Sequence, residues 1–245
     1  MTTYLLCQGA WRGGWYWKRV AGILRDQGHR VLTPSYTGLG ERAHLLTPEV
    51  DLETHIADIL GVIRCEELED FVLVGHSYGG MVVTGVADRV HEKISSLIYL
   101  DAALPRNGQS MTDLVGGDAD ALRARAETEG DGWKIPFPTA AQRGIEDEVD
   151  RAWIDRLSGC HPMATLMQRL AIAGNHLKIA NKVYILCSEN TPSPFHQFAD
   201  WTRTQSDWKT ADIPCHHMPM ISMARETAAL FMELGSKGGG AFGTS

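Results

Sequence analysis

One serine lies between two glycines in the stretch FVLVGHSYGGMVV, residues 71–83. The pentapeptide GHSYG at 75–79 follows an apolar run and opens a segment with helical periodicity, which is the context that a GxSxG turn requires. Glycines let the strand and the helix pass closely, so the turn can present Ser77 on a strained bend with its hydroxyl free to react. The alternative is an ordinary turn, because GxSxG also arises by chance. The clean strand and helix flanks favour a nucleophilic serine.

A serine hydroxyl becomes a good nucleophile only when a base takes its proton, so a histidine has to reach Ser77 from elsewhere in the fold. Among the ten histidines, His217 is the best placed, because IPCHHMPM at 213–220 lies between the last predicted strand and the final helix. Its neighbour His216 is a rival that periodicity alone does not exclude. His76 is held inside the turn, and we expect it to pack rather than to react.

Backbone amides are expected to stabilise the negative charge that develops on the substrate oxygen. The helix after Ser77 directs its first amides at this position, which makes the Tyr78 N–H one donor. The loop after the first strand, CQGAW at 7–11, is expected to supply the second donor, and we assign it to the Ala10 N–H. Trp11 in the same loop is a candidate for the pocket wall.

Short apolar runs alternate with helix-period segments along most of the chain. A repeated strand-then-helix order predicts an α/β fold with a mainly parallel sheet, helices on both faces and a ligand site at the carboxyl ends of the strands. The alternation fails from about 105 to 180, where we expect a helical lid insertion over the strand ends. We expect one domain over residues 1–234 and a disordered Gly/Ser-rich tail over 235–245.

Large apolar side chains within the predicted insertion are candidates for the substrate pocket: Trp133, Met163 and Met167. Methionine adapts to irregular ligands, so an apolar acyl or aromatic pocket is one interpretation. Plain packing inside the lid is the alternative.

These segments together resemble the α/β-hydrolase family, in particular the branch of plant methylesterases, hydroxynitrile lyases and bacterial carboxylesterases of the pyrethroid-hydrolase type. In that branch the first loop typically reads HGAxxGGWxW, and this chain has QGAWRGGWYW with Gln8 in place of the usual histidine. The segments TGLGERAHLL, VGHSYGGMV, YLDAALP and HHMPM also match. The resemblance implies an α/β-hydrolase fold over nearly the whole chain before the tail, and it assigns the base to His217 rather than His216.

The acid of the expected triad is where the resemblance weakens. Many relatives carry an aspartate in a TED stretch, whereas this chain reads CSEN, with Asn190 at the aspartate's place and Glu189 beside it. Other α/β-hydrolases carry the acid after the strand that follows the nucleophile helix, and that position here is Asp101. A carboxylate at the end of an apolar strand is costly unless it is paired, so we favour Asp101 over Glu189. The alternative is that Asp101 only bonds loop amides.

Charge and composition restrict the partners. The net charge of −7, spread along the chain, argues against a nucleic-acid partner. A first apolar strand from Tyr4 leaves no room for a cleaved signal, and no run of about 18 apolar residues predicts a membrane span. Five cysteines without a CxxC pair indicate reduced thiols. We expect a cytoplasmic protein that binds a small-molecule ester and neither nucleic acid nor membrane; the oligomeric state is not predicted.

Neither a cofactor nor a metal is expected. Residues 38–43 match GxGxxG/A on paper, but Pro34 and Pro48 flank them and no helix of useful length can start between these prolines. His216 and His217 have no third ligand at a recognisable spacing.

The residues and the resemblance together predict a cofactor-independent serine hydrolase, a carboxylesterase that cleaves a small, largely apolar ester. A hydroxynitrile-lyase-like reaction on the same scaffold is one alternative. Lyases of this branch use a threonine in the first loop and a lysine after the histidine, whereas those places hold Gly9 and Met218 here. A cofactor-free dioxygenase and a non-enzymatic small-molecule receptor are further alternatives.

Overall fold

A six-stranded parallel sheet organises the chain, and the computed structural model describes residues 1–235 of it. The strands are β1 (Thr3–Cys7), β2 (Arg30–Leu32), β3 (Phe71–His76), β4 (Ile94–Leu100), β5 (Lys134–Ile135), β6 (His161–Pro162), β7 (Asn181–Cys187) and β8 (Trp208–Ile213). The sheet order is β2-β1-β3-β4-β7-β8, and every neighbouring pair is parallel. The short strands β5 and β6 form a separate antiparallel pair.

Helices connect the strands and cover the sheet. They are α1 (Lys18–Asp26), α2 (Leu52–Cys65), α3 (Gly79–Val90), α4 (Met111–Leu114), α5 (Ala119–Glu129), α6 (Glu148–Leu157), α7 (Met163–Met167), α8 (His196–Arg203), α9 (Pro219–Ser222) and α10 (Ala224–Gly235). Short 3-10 segments lie at Gly14–Trp17, Gly40–Leu45, His91–Lys93, Ala141–Arg143 and Asn175–Lys178. The predicted parallel sheet with helices between its strands is confirmed.

The sheet is buried on both faces because its strands alternate side chains between two apolar layers. Leu73 of β3 packs into the layer that contains residues of α2, α3 and α8, whereas Val72 and Val74 pack into the layer that contains residues of α1 and α10. All six residues of β3 are buried, which explains why this segment reads as one continuous apolar run. The helices therefore fix the direction of the strand that carries the GxSxG turn.

The segment between β4 and β7 leaves the sheet, as the loss of alternation predicted. It contains the helices α4 to α7 and the β5–β6 pair. The N-termini of α4, α5 and α6 are capped by polar side chains. For example, Ser110 accepts from the Asp113 N–H, and Asp147 accepts from the Asp150 N–H. Such caps satisfy amides that would otherwise lack acceptors, so this segment is helical although its apolar periodicity is weak.

The C-terminal part of the chain ends, within the described residues, at helix α10. Gly235 is the last residue of that helix and is buried; the rest of the tail predicted over 235–245 lies outside the described residues. Within residues 1–235 no helix has both the length and the apolar composition that crossing a bilayer requires.

Candidate active site

Ser77 lies on the sharp turn between β3 and α3. Its φ angle is +55°, a left-handed conformation that is unusual for a residue other than glycine. The Ser77 carbonyl accepts hydrogen bonds from the amides of Gly80 and Ala103, both at 3.0 Å, which hold the turn. A Cβ atom on Gly79 would lie 2.7 Å from the Gln8 carbonyl oxygen, so only glycine lets α3 start this close to the first loop. The local sequence thus specifies a sharp bend at Ser77, with the serine hydroxyl pointing out of the turn.

His217 reaches this serine from the segment between β8 and α9. Its Nε2 lies 2.9 Å from Ser77 Oγ, and its Nδ1 lies 2.6 Å from Asp101 Oδ2. The imidazole stacks on the Phe195 ring, with centroids 5.3 Å apart and an interplanar angle of 9°. The rival His216 lies on the cavity wall against Gly144, so the structure brings His217 rather than His216 to the serine.

Asp101 lies just past the end of β4 with a φ angle of +41°, and its side chain is fully buried. Besides His217, its Oδ2 accepts a 2.8 Å hydrogen bond from Asn190 Nδ2, and its Oδ1 is 3.4 Å from the Cys187 amide nitrogen. The sequence left open whether Asp101 pairs with the imidazole or only bonds loop amides. In the structure its carboxylate contacts both the imidazole and a backbone amide. A buried carboxylate is tolerated only with such partners.

The other two candidates for the acid occupy different places. Glu189 is exposed on the turn after β7, and its hydrogen bonds are made by its backbone: the amide donates to the Cys215 carbonyl and the carbonyl accepts from the Thr191 amide. Asn190 donates to Asp101 and to Ser193 Oγ, and its Nδ2 lies 3.5 Å from Nδ1 of His217. The asparagine therefore supports the carboxylate of Asp101 rather than standing in for it.

His76 is buried next to His217 and packs, as expected, against that ring. Its Nε2 lies 2.8 Å from the His217 carbonyl oxygen. A carbonyl only accepts, so Nε2 carries the proton and anchors the backbone of His217. Burial, and then the neighbouring His217, hold the pKa of His76 well below its usual value. His76 is thus a neutral ring that supports the backbone of His217.

The two amides expected to stabilise an oxyanion lie at the same cavity as Ser77. Neither the Ala10 N–H nor the Tyr78 N–H has an acceptor within residues 1–235. A Cβ on Gly9 would lie 2.9 Å from Ser77 Cβ, so the first loop runs directly against the serine. Two donors without protein partners beside a hydroxyl are what a developing negative charge requires.

A buried histidine that the sequence did not single out holds this loop in place. His161 Nδ1 lies 3.1 Å from the amide nitrogen of Trp11, a residue with a φ angle of +69°. Its Nε2 lies 2.7 Å from Thr165 Oγ1, whose hydroxyl donates to the Pro162 carbonyl. Nδ1 must therefore accept and Nε2 must donate. Burial, followed by the nearby His55, keeps the pKa of His161 well below its usual value.

No sequence signal could have identified His161. It lies 150 residues from Trp11 in the chain, in the two-residue strand β6 of a segment without periodicity. Its position depends on the pairing of β5 with β6, which also brings the Ile135 carbonyl to 2.9 Å from Trp11 Nε1. The insertion thus holds the first loop through two hydrogen bonds, one to the backbone amide of Trp11 and one to its indole.

The side chains of Ser77 and His217 line a cavity of about 750 Å³. Trp11 lies on its wall, together with Ala10, Tyr78 and Asn190. Its apolar wall residues are Met111, Val115, Leu122, Ile135, Leu166 and Phe195. The cavity is therefore formed jointly by the strand ends and the segment between β4 and β7.

The predicted contribution of Trp133, Met163 and Met167 to this wall is wrong, because none of the three lines the cavity. Leu166 is the residue of α7 that does so, and one step along a helix turns the side chain by about 100°, away from Met167. The Met163 amide is bonded to the Trp133 carbonyl beside the β5–β6 pair. The direction of these three side chains depends on how the insertion packs, and the periodicity of the sequence does not specify that packing.

No group of three or more histidine, cysteine, aspartate or glutamate side chains within residues 1–235 is arranged to hold a metal ion.

Comparison with known proteins is consistent with this arrangement. The model of the alpha/beta hydrolase family matches residues 4–230. A carbendazim hydrolyzing esterase from Nocardioides sp. is 42% identical, over 96% of this chain and 100% of its own length. Because a family model covers most of the chain, the resemblance inferred from the motifs is confirmed.

Solved structures show the same fold. An extracellular alpha/beta-hydrolase from a Paenibacillus species has a TM-score of 0.84 at 23% identity, covering 97% of this chain and 100% of that one. A pyrethroid hydrolase from Sphingobium faniae has a TM-score of 0.72 at 20% identity, covering 94% and 96%. Together with the family match and the esterase relative, these likenesses identify this chain as a member of the alpha/beta hydrolase family and an esterase-type hydrolase.

Proposed function

We propose that this protein is a cofactor-independent serine carboxylesterase in which Ser77 is the nucleophile, His217 the base and Asp101 the acid. The observation that carries the proposal is the continuous hydrogen-bonded chain from Ser77 Oγ through both ring nitrogens of His217 to Asp101, with contacts of 2.9 and 2.6 Å. Each group has the partner that its role requires: a base for the hydroxyl and a carboxylate for the imidazole.

The reaction proceeds in two halves. His217 Nε2 takes the Ser77 proton while Oγ attacks the ester carbonyl carbon, and the Ala10 and Tyr78 amides stabilise the resulting oxyanion. His217 then gives its proton to the leaving alcohol as the ester C–O bond breaks, which leaves an acyl-enzyme on Ser77. A water molecule, deprotonated by His217, attacks the acyl carbon and releases the carboxylic acid. One ester and one water give one acid and one alcohol.

The substrate is a small ester with largely apolar parts, because the cavity wall is mostly apolar and its volume, about 750 Å³, suits a molecule of drug-like size. We further propose that residues 105–180 act as a lid, since Met111, Leu122 and Ile135 from that segment form part of the wall. Carbendazim, named in the description of the Nocardioides relative, belongs in the substrate panel together with short 4-nitrophenyl and methyl esters.

Replacement of the nucleophile tests this proposal. In Ser77→Ala, we expect kcat for the best ester of the panel to fall by about 10⁴ to 10⁶, because the triad acts as a unit. Covalent labelling by a fluorophosphonate probe should be lost at the same time. The exposed Ser206 gives a matched control, and Ser206→Ala should retain both turnover and labelling.

The alternatives predict different outcomes. Hydrolysis by purified Ser77→Ala at the wild-type rate would refute the proposal. Oxygen consumption with a heteroaromatic substrate that survives loss of Ser77 would indicate the dioxygenase, and release of cyanide from a cyanohydrin would indicate the lyase. Probe labelling without turnover of any ester would indicate a receptor.

We also propose a cytoplasmic location. All five cysteines have free thiols, including Cys187 and Cys215, which are buried and in contact with each other. A reducing compartment keeps such a pair from oxidising. Counting thiols in unfolded protein taken directly from its native cells should give five, and a disulfide between the two would argue against this location.

A further inference from the structure

The wall of the active-site cavity carries more positive than negative charge. Its side chains include Arg125, Arg143 and Asp118, although the whole chain has a net charge of −7. Asp118 caps helix α5, where its Oδ1 accepts from two backbone amides of the first turn. The aspartate is therefore engaged by the helix, and a wall built only for apolar esters would have no need of two guanidinium groups.

The two arginines differ in their partners. Arg125 donates to the Glu129 carboxylate and to the Pro136 carbonyl, both at 2.9 Å. The Arg143 guanidinium has no hydrogen-bond or ion-pair partner within residues 1–235. Burial, and then the nearby Arg12, lower the pKa of Arg143. Arg143 therefore presents unused donors to the cavity after it has lost much of its hydration.

Trp11 fixes the position of this free guanidinium. The Arg143 guanidinium carbon lies 5.1 Å from the centroid of the Trp11 ring, a cation–π distance. The indole is held by its bond to Ile135 and the backbone by its bond to His161, so the platform beneath the cation is rigid. Trp11 directly follows Ala10, whose amide we assign to the oxyanion. The Arg143 guanidinium is thus placed against the residue that follows this amide in the chain.

A third guanidinium strengthens the positive potential from behind the loop. Arg12 is only 3% exposed and lies 4.8 and 4.6 Å from the ring centroids of Tyr16 and Phe137. Its donors go to the Ala10 carbonyl and to Met218 Sδ, and none goes to a carboxylate within the described residues. The carboxylate of Asp155 is near enough to offset part of the Arg12 charge, although no hydrogen bond joins the two side chains. An anion in the cavity would therefore be attracted by Arg143 and, more weakly, by Arg12.

We propose that Arg143, supported by the Trp11 ring, is a subsite for a carboxylate that the substrate carries in addition to its reacting ester. This inference rests on the proposed function and narrows its substrate class to half-esters of dicarboxylic acids and related anionic esters. The planar guanidinium matches a carboxylate with two parallel hydrogen bonds. A cation that is already partly desolvated gains more from such a partner than an exposed one does.

A matched pair of substrates tests the subsite. Mono(4-nitrophenyl) glutarate and 4-nitrophenyl pentanoate have the same number of acyl carbons, but only the first ends in a carboxylate. After subtraction of the uncatalysed rates, we expect wild type to prefer the glutarate in kcat/KM. In Arg143→Gln the ratio of the two values should fall by at least about tenfold, as the loss of a charged hydrogen bond predicts. Arg143→Lys keeps the charge without the fork and should give an intermediate ratio.

Arg123→Gln is the control, because Arg123 is exposed on α5, pairs with Asp120 and does not line the cavity. It should leave both kcat/KM values unchanged. If Arg143→Gln lowers kcat/KM for both esters by the same factor, or changes neither value, the ratio is unchanged and the carboxylate subsite is refuted. In the first case the arginine only supports Trp11.

A binding measurement separates this inference from the esterase proposal. Phenylacetate and phenylacetamide are similar in size and differ in charge, and calorimetric titration of each needs no turnover. We expect phenylacetate to bind wild type at least about tenfold more tightly, and this preference to disappear in Arg143→Gln. Equal affinities in wild type would overturn the inference even if both nitrophenyl esters are hydrolysed. If phenylacetate binds more tightly but no ester is hydrolysed, the carboxylate subsite is supported and the proposed esterase activity is rejected.

Discussion

At the scale of single residues, two side chains from different loops lie close to Nδ1 of His217. Asp101 contacts Nδ1 of His217 at 2.6 Å, while Asn190 Nδ2 lies 3.5 Å from the same nitrogen and 2.8 Å from the carboxylate. The side chains at positions 101 and 190 therefore meet at the Nδ1 edge of the imidazole. A carboxylate at either position would reach the ring, but two together would repel each other.

This convergence predicts that the acid can be moved. Asp101→Asn should lower kcat/KM by about 10³ to 10⁴, because the imidazolium loses its carboxylate. Adding Asn190→Asp to that variant should recover at least about tenfold. Asn190→Asp alone should be less active than wild type, since it places a second carboxylate against the buried Asp101. The exposed Asp200 provides the control, as Asp200→Asn removes a carboxylate far from Ser77. A double variant no better than Asp101→Asn would contradict the idea.

Residues of the site differ in how far the sequence predicts them. Ser77 is singled out by five adjacent residues. The place after the last strand narrows the base to His216 or His217, and only the family resemblance chooses His217. Asp101 is favoured by its place after the strand that follows the nucleophile helix, together with the cost of an unpaired carboxylate at the end of an apolar strand. Arg143 and His161 give no such signal, because their partners Trp11 and Thr165 are defined by packing of the insertion. Their roles follow from three-dimensional contacts alone.

At the scale of elements, the β3–α3 corner depends on close approach to β1. A Cβ on Gly79 would lie 2.7 Å from the Gln8 carbonyl oxygen and 2.9 Å from that of Cys7. Both are backbone atoms, which cannot turn away as a flexible side chain does. The start of α3 and the loop that carries Ala10 are therefore fixed against each other by the absence of one methyl group.

A methyl group added at this contact should separate the two elements. We expect Gly79→Ala to lower the free energy of unfolding by about 1 to 3 kcal/mol and to reduce kcat, because Ser77 and the Ala10 amide no longer meet. Gly22→Ala in α1 is the matched control: a Cβ there has no neighbour within 4 Å. It should be neutral or stabilising by up to about 1 kcal/mol. Urea unfolding and ester turnover measure both effects, and equal stabilities of the two variants would count against the steric explanation.

The elements themselves were predictable to different degrees. The strands of the sheet read as apolar runs because they are buried on both faces, as in β3. The insertion was recognisable only by the loss of that alternation. Its antiparallel pair β5–β6 has two residues in each strand, too few for any periodicity. The cavity wall depends on that strand pair and on α7, which is why Leu166 rather than the predicted methionines lines it.

At the scale of the whole molecule, several imidazoles are buried without charge. Burial lowers the pKa of His55 to about 4 and keeps those of His76 and His161 well below the usual value. His55 is bonded at both nitrogens, to Tyr78 Oη and to the Thr37 carbonyl, both at 3.0 Å. Protonation of His55 or His161 would break a contact in which a ring nitrogen accepts a hydrogen bond, and a proton on His76 would be buried on a nitrogen without a partner in the described residues. The folded protein therefore resists the proton that the unfolded chain accepts.

The stability of the fold should therefore decrease as the pH falls. An unfolded histidine titrates near 6.5, so below this pH the unfolded state binds protons that the folded state excludes. Between about pH 6.5 and 4 the free energy of unfolding should decline, by on the order of 3 kcal/mol for His55 alone. His55→Gln should be less stable at pH 7.5 but have a shallower decline. His44→Gln, at an exposed position, is the control. A flat profile over this range would show that the buried rings do not control acid stability.

Three residues with left-handed backbones follow three neighbouring strands: Trp11 after β1, Ser77 after β3 and Asp101 after β4, with φ angles of +69°, +55° and +41°. None of them is glycine, so each costs on the order of 1 to 3 kcal/mol of backbone energy. A chain selected for robustness alone would use glycine at all three corners and would have no reactive alcohol, carboxylate or indole there. The side chains at these three corners thus lower the stability of the fold at the edge of the sheet where the reactive groups lie. Thermostabilising substitutions should therefore be sought elsewhere in the chain.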